Sequence, residues 1–472
     1  MKPFLLLGLF LLGAGTCSLA QKANNYSIQV QFFPEKAQMW GYPVSNNSFM
    51  RGSAKVQLSD SNTEKPSFYL HGELKIDSIV SNGKNITFSE KKVFYGKDYS
   101  HVGLETTLQS SDITSDNTLD IYYSGFFNPS RARSLSDYFY IDKKDGVYLR
   151  SYYYSPWFPI FENATKEDYV ANFKKVTVKL PKDFRVVVSG NLIEETISGN
   201  LYTVTWKPGP THISSLQCAA RTFKVLKDDN IFIHYVSAPK NAKKIMDFTS
   251  NLKKLYFNKL KSIQNTSQLH IIELPEYGNI SSQNVIGIST DVYENFEDKL
   301  YSKLTIAHEL VHPYTSIPVT KNHPFYALVI EGFPSFFHLY GMSKILNDQG
   351  FDIKEYMQRT EKSYLKKRST GEDRRGNPLP IEKSILEIRH NEIGKYKDLF
   401  ILSDRVRLFL YHLWTTMGED SYDQFLNKLF NLDTIDYDIM KKIVEEFIPD
   451  YGNNLNIWLN TIDYPKSIQL KN

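Results

Sequence analysis

The chain has 472 residues, of which 41% are hydrophobic and 14% aromatic, enough for two or three domains with sizeable cores. Its formal net charge of +4 is too small to indicate nucleic-acid binding. Two cysteines cannot supply a disulfide framework once one of them lies in a cleaved leader. Composition therefore predicts a globular protein stabilised by its hydrophobic cores.

The first 20 residues are typical of a secretory signal peptide. Lys2 precedes an apolar run over residues 4–12, and a small-residue segment ends at Ala20, an acceptable cleavage site. The run is shorter than the roughly 20 residues of a membrane helix, so we expect no membrane span. We expect export to the periplasm or the extracellular space. Lipid anchoring through Cys17 ranks below cleavage, because a threonine precedes it instead of Ala or Gly.

Residues 21–236 are predicted to form an all-β domain. Apolar and polar residues alternate over 74–77, 119–123 and 176–180, which is typical of half-buried strands. Turn signals such as Asn82-Gly83 separate the predicted strands.

The pattern changes near residue 237. Residues 242–262 have the apolar spacing of a helix, and two short apolar strands are predicted at 269–274 and 285–289. The rest of the chain is predicted to be mostly helical. A second domain is therefore expected over residues 237–472, which makes the fold class α+β and multidomain.

The sequence His308-Glu309-Leu310-Val311-His312 lies in a helix predicted over about 299–311. Histidines four residues apart share one helical face and can bind one zinc ion, and Glu331 is the candidate third ligand. Glu309 is then the candidate general base for a zinc-activated water. The alternative, a surface helix with two solvated histidines, is disfavoured by the apolar flanks. A small sheet followed by such a helix is the order of a thermolysin-like, mainly helical zinc metallopeptidase domain.

This motif resembles the aminopeptidase N family of gluzincins, which includes leukotriene hydrolase. The spacing from His312 to Glu331 and the sequence Glu331-Gly332-Phe333 carry the resemblance, which extends weakly from about residue 145 to about 430. It implies one Zn²⁺ ion, a peptide or protein substrate, and a β domain ahead of the catalytic domain. It also implies that Tyr396 stabilises the oxyanion, although any one of 31 tyrosines is more often a packing residue.

The stretch that binds the substrate's α-amine in this family is altered. Its glutamate position falls on Asn284, or on Gln283 if one residue is inserted, and neither side chain carries a negative charge. Glu273 and Glu276 lie nearby and are alternative anchors. We name Gln283 and Asn284 as candidate substrate-binding residues and leave exopeptidase or endopeptidase specificity open.

Three further departures concern the ligand-bearing helices. Pro313 is expected to end or kink the zinc helix directly after His312. Pro334 is acceptable only if a helix begins close to Glu331. His338 stands where a carboxylate usually supports a zinc histidine.

Three functional alternatives follow. We expect an exported zinc metallopeptidase of aminopeptidase type, without the helical-repeat domain that covers the cleft in many relatives. An endopeptidase with an open cleft is the second interpretation. A non-catalytic peptide-binding protein is the third, but it has no need for Glu309, which is not a ligand. The sequence does not predict the oligomeric state.

Overall fold

A computed structural model describes most of the chain. The described residues are 24–34, 48–58, 66–95, 101–109, 117–127, 139–142, 146–150, 156–161, 170–212, 216–260, 268–274, 280–282, 284–320, 322–372, 376, 378–393, 396 and 401–465. The expected signal peptide, Gln283 and Glu276 lie outside these residues.

The chain divides into two compact units, Met1–Phe223 and Lys224–Asn472. The division falls earlier than the boundary expected at 237. The reason is a hairpin, Lys224–Asp228 with Ile231–Tyr235, whose second strand pairs in parallel with Leu269–Leu274. This pairing makes the hairpin part of the second unit's sheet.

The described part of the first unit consists of strands and their connections. The strands are β1 (Asn25–Phe33), β2 (Ser48–Gln57), β3 (Ser67–His71), β4 (Leu74–Ser81), β5 (Lys84–Asn85), β6 (Phe88–Tyr95), β7 (His101–Leu108), β8 (Thr118–Phe127), β9 (Phe139–Asp142), β10 (Gly146–Arg150), β11 (Ile160–Phe161), β12 (Val170–Pro181), β13 (Arg185–Val188), β14 (Asn191–Ser198), β15 (Leu201–Lys207), β16 (Gly209–His212) and β17 (Gln217–Arg221).

Among the described residues these strands form three sheets. The largest has the order β14-β15-β12-β1-β2-β8-β4-β5, with β16 also pairing with β12. The others have the orders β13-β17-β10-β9 and β11-β3-β7-β6. The three predicted strands lie within β4, β8 and β12, and buried residues alternate along them. Asn82 and Gly83 have φ of 46° and 78°, as a tight turn between β4 and β5 requires.

The second unit begins with a five-stranded sheet in the described part of the chain. Its strands are β18 (Lys224–Asp228), β19 (Ile231–Tyr235), β20 (Leu269–Leu274), β21 (Ile280–Ser282) and β22 (Val285–Ser289), in the order β18-β19-β20-β22-β21. The three central strands β19, β20 and β22 run parallel, whereas β21 is an antiparallel edge. The two strands predicted at 269–274 and 285–289 are confirmed.

The remainder of the second unit is helical. The α-helices are α1 (Pro239–Leu260), α2 (Thr290–Glu294), α3 (Leu300–Val311), α4 (Phe333–Ile345), α5 (Ile353–Thr370), α6 (Val406–Met417), α7 (Glu419–Leu429), α8 (Tyr437–Phe447) and α9 (Gly452–Asn460). Short 3₁₀ turns occur at His312–Tyr314, Asn347–Gln349, Ile385–Glu387 and His390–Glu392, and π turns at Leu328–Gly332 and Ile401–Arg405.

The core of the second unit joins its sheet to its helices. Helix α1 buries Ile245, Met246, Leu252 and Tyr256 at helical spacing, as the sequence pattern predicted. A Cβ at Gly341 of α4 would lie 2.4 Å from the Tyr256 hydroxyl oxygen, so glycine permits these two helices to approach closely. None of the described helices has the length and apolarity needed to cross a membrane.

Candidate metal centre

Helix α3 positions the two histidines. Its buried residues, including Ile306, Leu310 and Val311, fix the helix against the core and leave His308 and His312 partly exposed. The α-helix ends at Val311, as Pro313 predicted, and a 3₁₀ turn follows. His312 nevertheless keeps helical dihedral angles (φ −48°, ψ −49°), so its ring remains on the same face as that of His308.

Glu331 lies on a backbone segment whose geometry differs from that of α3. It lies in the π turn Leu328–Gly332, which leads directly into α4. Pro334 directly follows this π turn in a helical run that already begins at residue 326, because Gly332 before it has helical dihedral angles (φ −65°, ψ −54°). The helical run therefore begins five residues before Glu331, and the proline lies next to a π turn and not in a free first turn. A π turn inside a helix is frequently a feature of functional sites.

The three side chains converge. The Nε2 atoms of His308 and His312 are 3.3 Å apart, and Oε2 of Glu331 lies 3.5 Å from Nε2 of His308. Two ligands of a tetrahedral zinc ion with bonds of about 2.0–2.1 Å are about 3.3–3.4 Å apart. The His308–His312 and His308–Glu331 separations each fit two ligands of one zinc ion.

Glu309 lies beside the two imidazoles. The ligand-type atoms of His308, Glu309 and His312 all lie within 4.8 Å of one another, and Glu309 is only 7% exposed. Along α3, the histidine pair lies on one side of Glu309, and buried apolar residues lie on the other. A carboxylate at this place can reach a water molecule held between the imidazoles.

His338 replaces the carboxylate expected near the zinc histidines. Its ring packs edge-on against His308, with ring centroids 5.2 Å apart and planes at 83°. Its Nδ1 lies 2.8 Å from the Pro334 carbonyl, which can only accept, so Nδ1 carries the proton. Burial, followed by the charges of His308 and Arg407, holds the pKa of His338 well below its ordinary value. The side chain is therefore a neutral ring packed against a ligand.

Two other site residues expected from the sequence, Tyr396 and Asn284, make hydrogen bonds to backbone carbonyls. Tyr396 is buried in the core, its hydroxyl donates to the Ile381 carbonyl at 3.0 Å, and burial raises its pKa. Asn284 is buried in the turn before β22, where its amide donates to the Gln268 carbonyl at 2.5 Å. Neither contact is to the three candidate ligands.

Glu273, the alternative anchor for the substrate's amine, makes hydrogen bonds within the second unit. Its carboxylate accepts from the main-chain N–H groups of Val236 and Ser237, at 2.7 and 2.9 Å. It also accepts from the Thr290 hydroxyl at 3.0 Å. These three hydrogen bonds join the segment before α1 to the start of α2. Glu273 is therefore a buried side chain that makes hydrogen bonds within the fold.

Two residues close to the Glu331 turn were not identified from the sequence. Ser335 and Arg407 both make hydrogen bonds to or from the first turn of α4. The only sequence signal for an unusual backbone here was Pro334.

No family model matches the chain, and no curated protein matches it. Solved structures match over nearly its whole length. An M1 zinc metallopeptidase from Deinococcus radiodurans is 14% identical, with a TM-score of 0.59 over 95% of this chain and 96% of that one. A two-domain M1 zinc metallopeptidase mutant bound to L-arginine is 14% identical, with a TM-score of 0.60 over the same shares, 95% and 96%. Native yeast LTA4 hydrolase is 14% identical, with a TM-score of 0.62 over 94% of this chain and 68% of that one.

At this identity the likeness shows the fold. The chain has the fold of the M1 zinc metallopeptidases: a β-rich unit followed by a mainly helical, thermolysin-like unit. The expected fold class and the resemblance to the aminopeptidase N and leukotriene hydrolase group are confirmed.

Proposed function

We propose that the chain is a zinc-dependent metallopeptidase that hydrolyses peptide bonds. The zinc-ligand separations of His308 from His312 and from Glu331, on a fold shared with M1 zinc metallopeptidases, carry this proposal. Two neutral imidazoles and one carboxylate are a donor set that zinc prefers in catalytic sites. Zinc, when bound, supplies a Lewis acid and lowers the pKa of water.

Glu309 is proposed as the general base. It is not needed as a ligand, because Glu331 already completes the set, and its carboxylate lies within 4.8 Å of the ligand atoms of both histidines. It takes a proton from the attacking water and passes it to the leaving amine. This role distinguishes an enzyme from a protein that only binds peptides.

Tyr396 is proposed as the donor that stabilises the oxyanion. The support is its position about 65 residues beyond Glu331, in the resemblance to the gluzincins. Its hydroxyl already donates to the Ile381 carbonyl. The phenol would therefore have to exchange this partner for the substrate during catalysis.

Aminopeptidase-like specificity is the first alternative for the substrate. One solved relative was determined with a Tyr-Ser-Ala substrate, and another with L-arginine, both small ligands with a free amine. Endopeptidase activity is the second, favoured by the neutral Asn284 and by the structural use of Glu273. Export through the predicted signal peptide belongs to the same proposal.

Hydrolysis of paired peptides by the zinc-loaded protein tests the proposal. Each peptide is supplied with a free and with an acetylated amino terminus. Cleavage of free peptides alone indicates an aminopeptidase, and cleavage of both indicates an endopeptidase. A protein that takes up zinc and cuts neither set contradicts the proposed activity.

The matched control for this assay is Glu309→Gln, which keeps the size of the side chain and removes its basicity. We expect it to retain one zinc ion per chain and to lose hydrolysis by a factor of about 10²–10⁴. Undiminished activity in the variant would exclude Glu309 as the base.

A further inference from the structure

The π turn that carries Glu331 packs against a second π turn. The two segments, Leu328–Gly332 and Ile401–Arg405, lie in contact, and the second leads into α6. The approach is close: a Cβ at Gly332 would lie 2.8 Å from Cδ1 of Leu328 and 3.3 Å from Cγ1 of Val406. The backbone next to Glu331 is therefore confined on the side facing α6.

The Ser335 hydroxyl bridges the two π turns. It donates to the Gly332 carbonyl at 2.7 Å and lies 3.3 Å from the Leu402 carbonyl. Ser335 is only 4% exposed, so water cannot readily replace these contacts. The Ser335 side chain therefore lies in contact with both turns, and its single hydroxyl proton donates to one of these carbonyls at a time.

Arg407 holds Ser335 from the other side. Its Nε donates to the Ser335 carbonyl at 2.9 Å, and its Nη1 lies 3.4 Å from Oδ1 of Asp404. Asp404 is in turn paired with Lys367 of α5 at 2.8 Å. Both the main chain and the side chain of Ser335 are therefore fixed by residues of the second π turn and α6.

We propose that Ser335 and Arg407 are positioning residues that hold the π turn in the form that directs Glu331 toward His308 and His312. This inference rests on the proposed zinc-peptidase function. A π turn contains one residue more than an α turn, and each helical residue rotates the side chain by about 100°. Relaxation of the turn to regular α geometry would therefore rotate Glu331 away from the imidazoles and weaken zinc binding.

Removal of the Ser335 hydroxyl tests the proposal, with Ser343→Ala as the matched control. Ser343 lies on the same helix and donates to the Tyr340 carbonyl at 2.7 Å, the same three-residue spacing as Ser335 to Gly332. The readouts are the zinc dissociation constant, from competition with a chelator, and the visible spectrum of the cobalt(II)-substituted protein. Neither readout depends on hydrolysis.

We expect Ser335→Ala to weaken zinc binding by up to about tenfold, the lower end of the effect of losing a hydrogen bond to a ligand itself, and to shift the cobalt spectrum. Ser343→Ala should change neither. Arg407→Gln should also weaken zinc binding, and Arg407→Lys, which keeps a charged donor, should restore part of it.

Wild-type zinc affinity and an unchanged spectrum in both Ser335→Ala and Arg407→Gln would overturn the inference while leaving the proposed function intact. If Ser335→Ala does not fold, the Arg407→Gln and Arg407→Lys pair decides. Failure of the wild-type protein itself to take up zinc would instead overturn the proposed function, and the positioning role with it.

Discussion

Helices α3 and α4 present the candidate zinc ligands by different means. In α3 the pair His308 and His312 follows from a four-residue spacing on a regular helix, and the 3.3 Å separation of their Nε2 atoms is set locally. Directly before α4, the third ligand lies on a π turn held by Ser335 and Arg407. A ligand pair can thus be encoded in five consecutive residues, whereas its completion depends on contacts with residues about 70 positions later in the chain.

The largest expected effect is the loss of zinc affinity when either segment loses a ligand. His312→Ala and Glu331→Ala should each lower zinc affinity by more than about a hundredfold, because each removes a ligand and not merely an outer partner. Hydrolysis should be lost in both. Zinc content after dialysis and chelator competition measure the effect. Retention of tightly bound zinc in Glu331→Ala alone would show that the two helices do not share one ion.

The second prediction concerns the packing around the second π turn. Arg405 is fully buried, and its guanidinium donates to the main-chain carbonyls of Ile457, Trp458 and Thr461 near the end of α9. We expect Arg405→Met to lower the free energy of unfolding by about 3–5 kcal/mol, since it removes the hydrogen bonds that a buried charged group donates. Urea denaturation measures this change.

Arg359→Met is the control for Arg405→Met. Arg359 forms an exposed pair with Glu355 on α5, with 75% of its side chain accessible, and such pairs contribute little to stability. Equal denaturation midpoints for both variants would show that Arg405 contributes no more to the free energy of unfolding than the exposed Arg359 does.

All three candidate ligands were named from the sequence, but the contacts that position Glu331 were not. Spacing alone identified His308 and His312, and Pro313 predicted the end of α3. Pro334 indicated a helix start near Glu331, but no sequence period distinguishes a π turn from an α turn. The contacts of Ser335 with Leu402 arise from tertiary packing, which no short motif records.

The contrast between local pattern and nonlocal contact also explains why the boundary expected near 237 falls after Phe223 in the structure. The sequence places a change of pattern near 237, where helical spacing begins. Strands β18 and β19 lie before that change of pattern. The pairing of β18 with β19, and of β19 with β20, assigns them to the second unit. Strand pairing between distant segments is not visible in the period of either strand.

The third prediction sharpens the assignment of Tyr396. If its phenol stabilises the oxyanion, Tyr396→Phe should lower the turnover number by about 10²–10³ and leave zinc affinity unchanged. Steady-state kinetics with zinc titration separates the two quantities. A variant with normal turnover that unfolds more easily would mean that the hydrogen bond to Ile381 is its whole contribution.

The last prediction separates the ligand histidines from a second histidine pair in the same unit. His234 Nε2 and His270 Nδ1 lie 3.0 Å apart on β19 and β20, and Phe232 stacks on His270. Burial lowers the pKa of His234 to about 3 and holds the pKa of His270 well below its ordinary value. Both rings are therefore neutral in the folded protein at neutral pH.

In the unfolded chain these histidines titrate near pH 6.5. Below that pH the unfolded state binds more protons than the folded state, so the free energy of unfolding falls as the pH falls toward about 3. The slope approaches about 1.4 kcal/mol per pH unit for each histidine. Denaturation of the zinc-free protein between pH 7 and pH 4, in about half-unit steps, measures it. His234→Gln should flatten the dependence, and His323→Gln, at a partly exposed turn, should not. An unchanged slope in His234→Gln would assign the acid sensitivity to other groups.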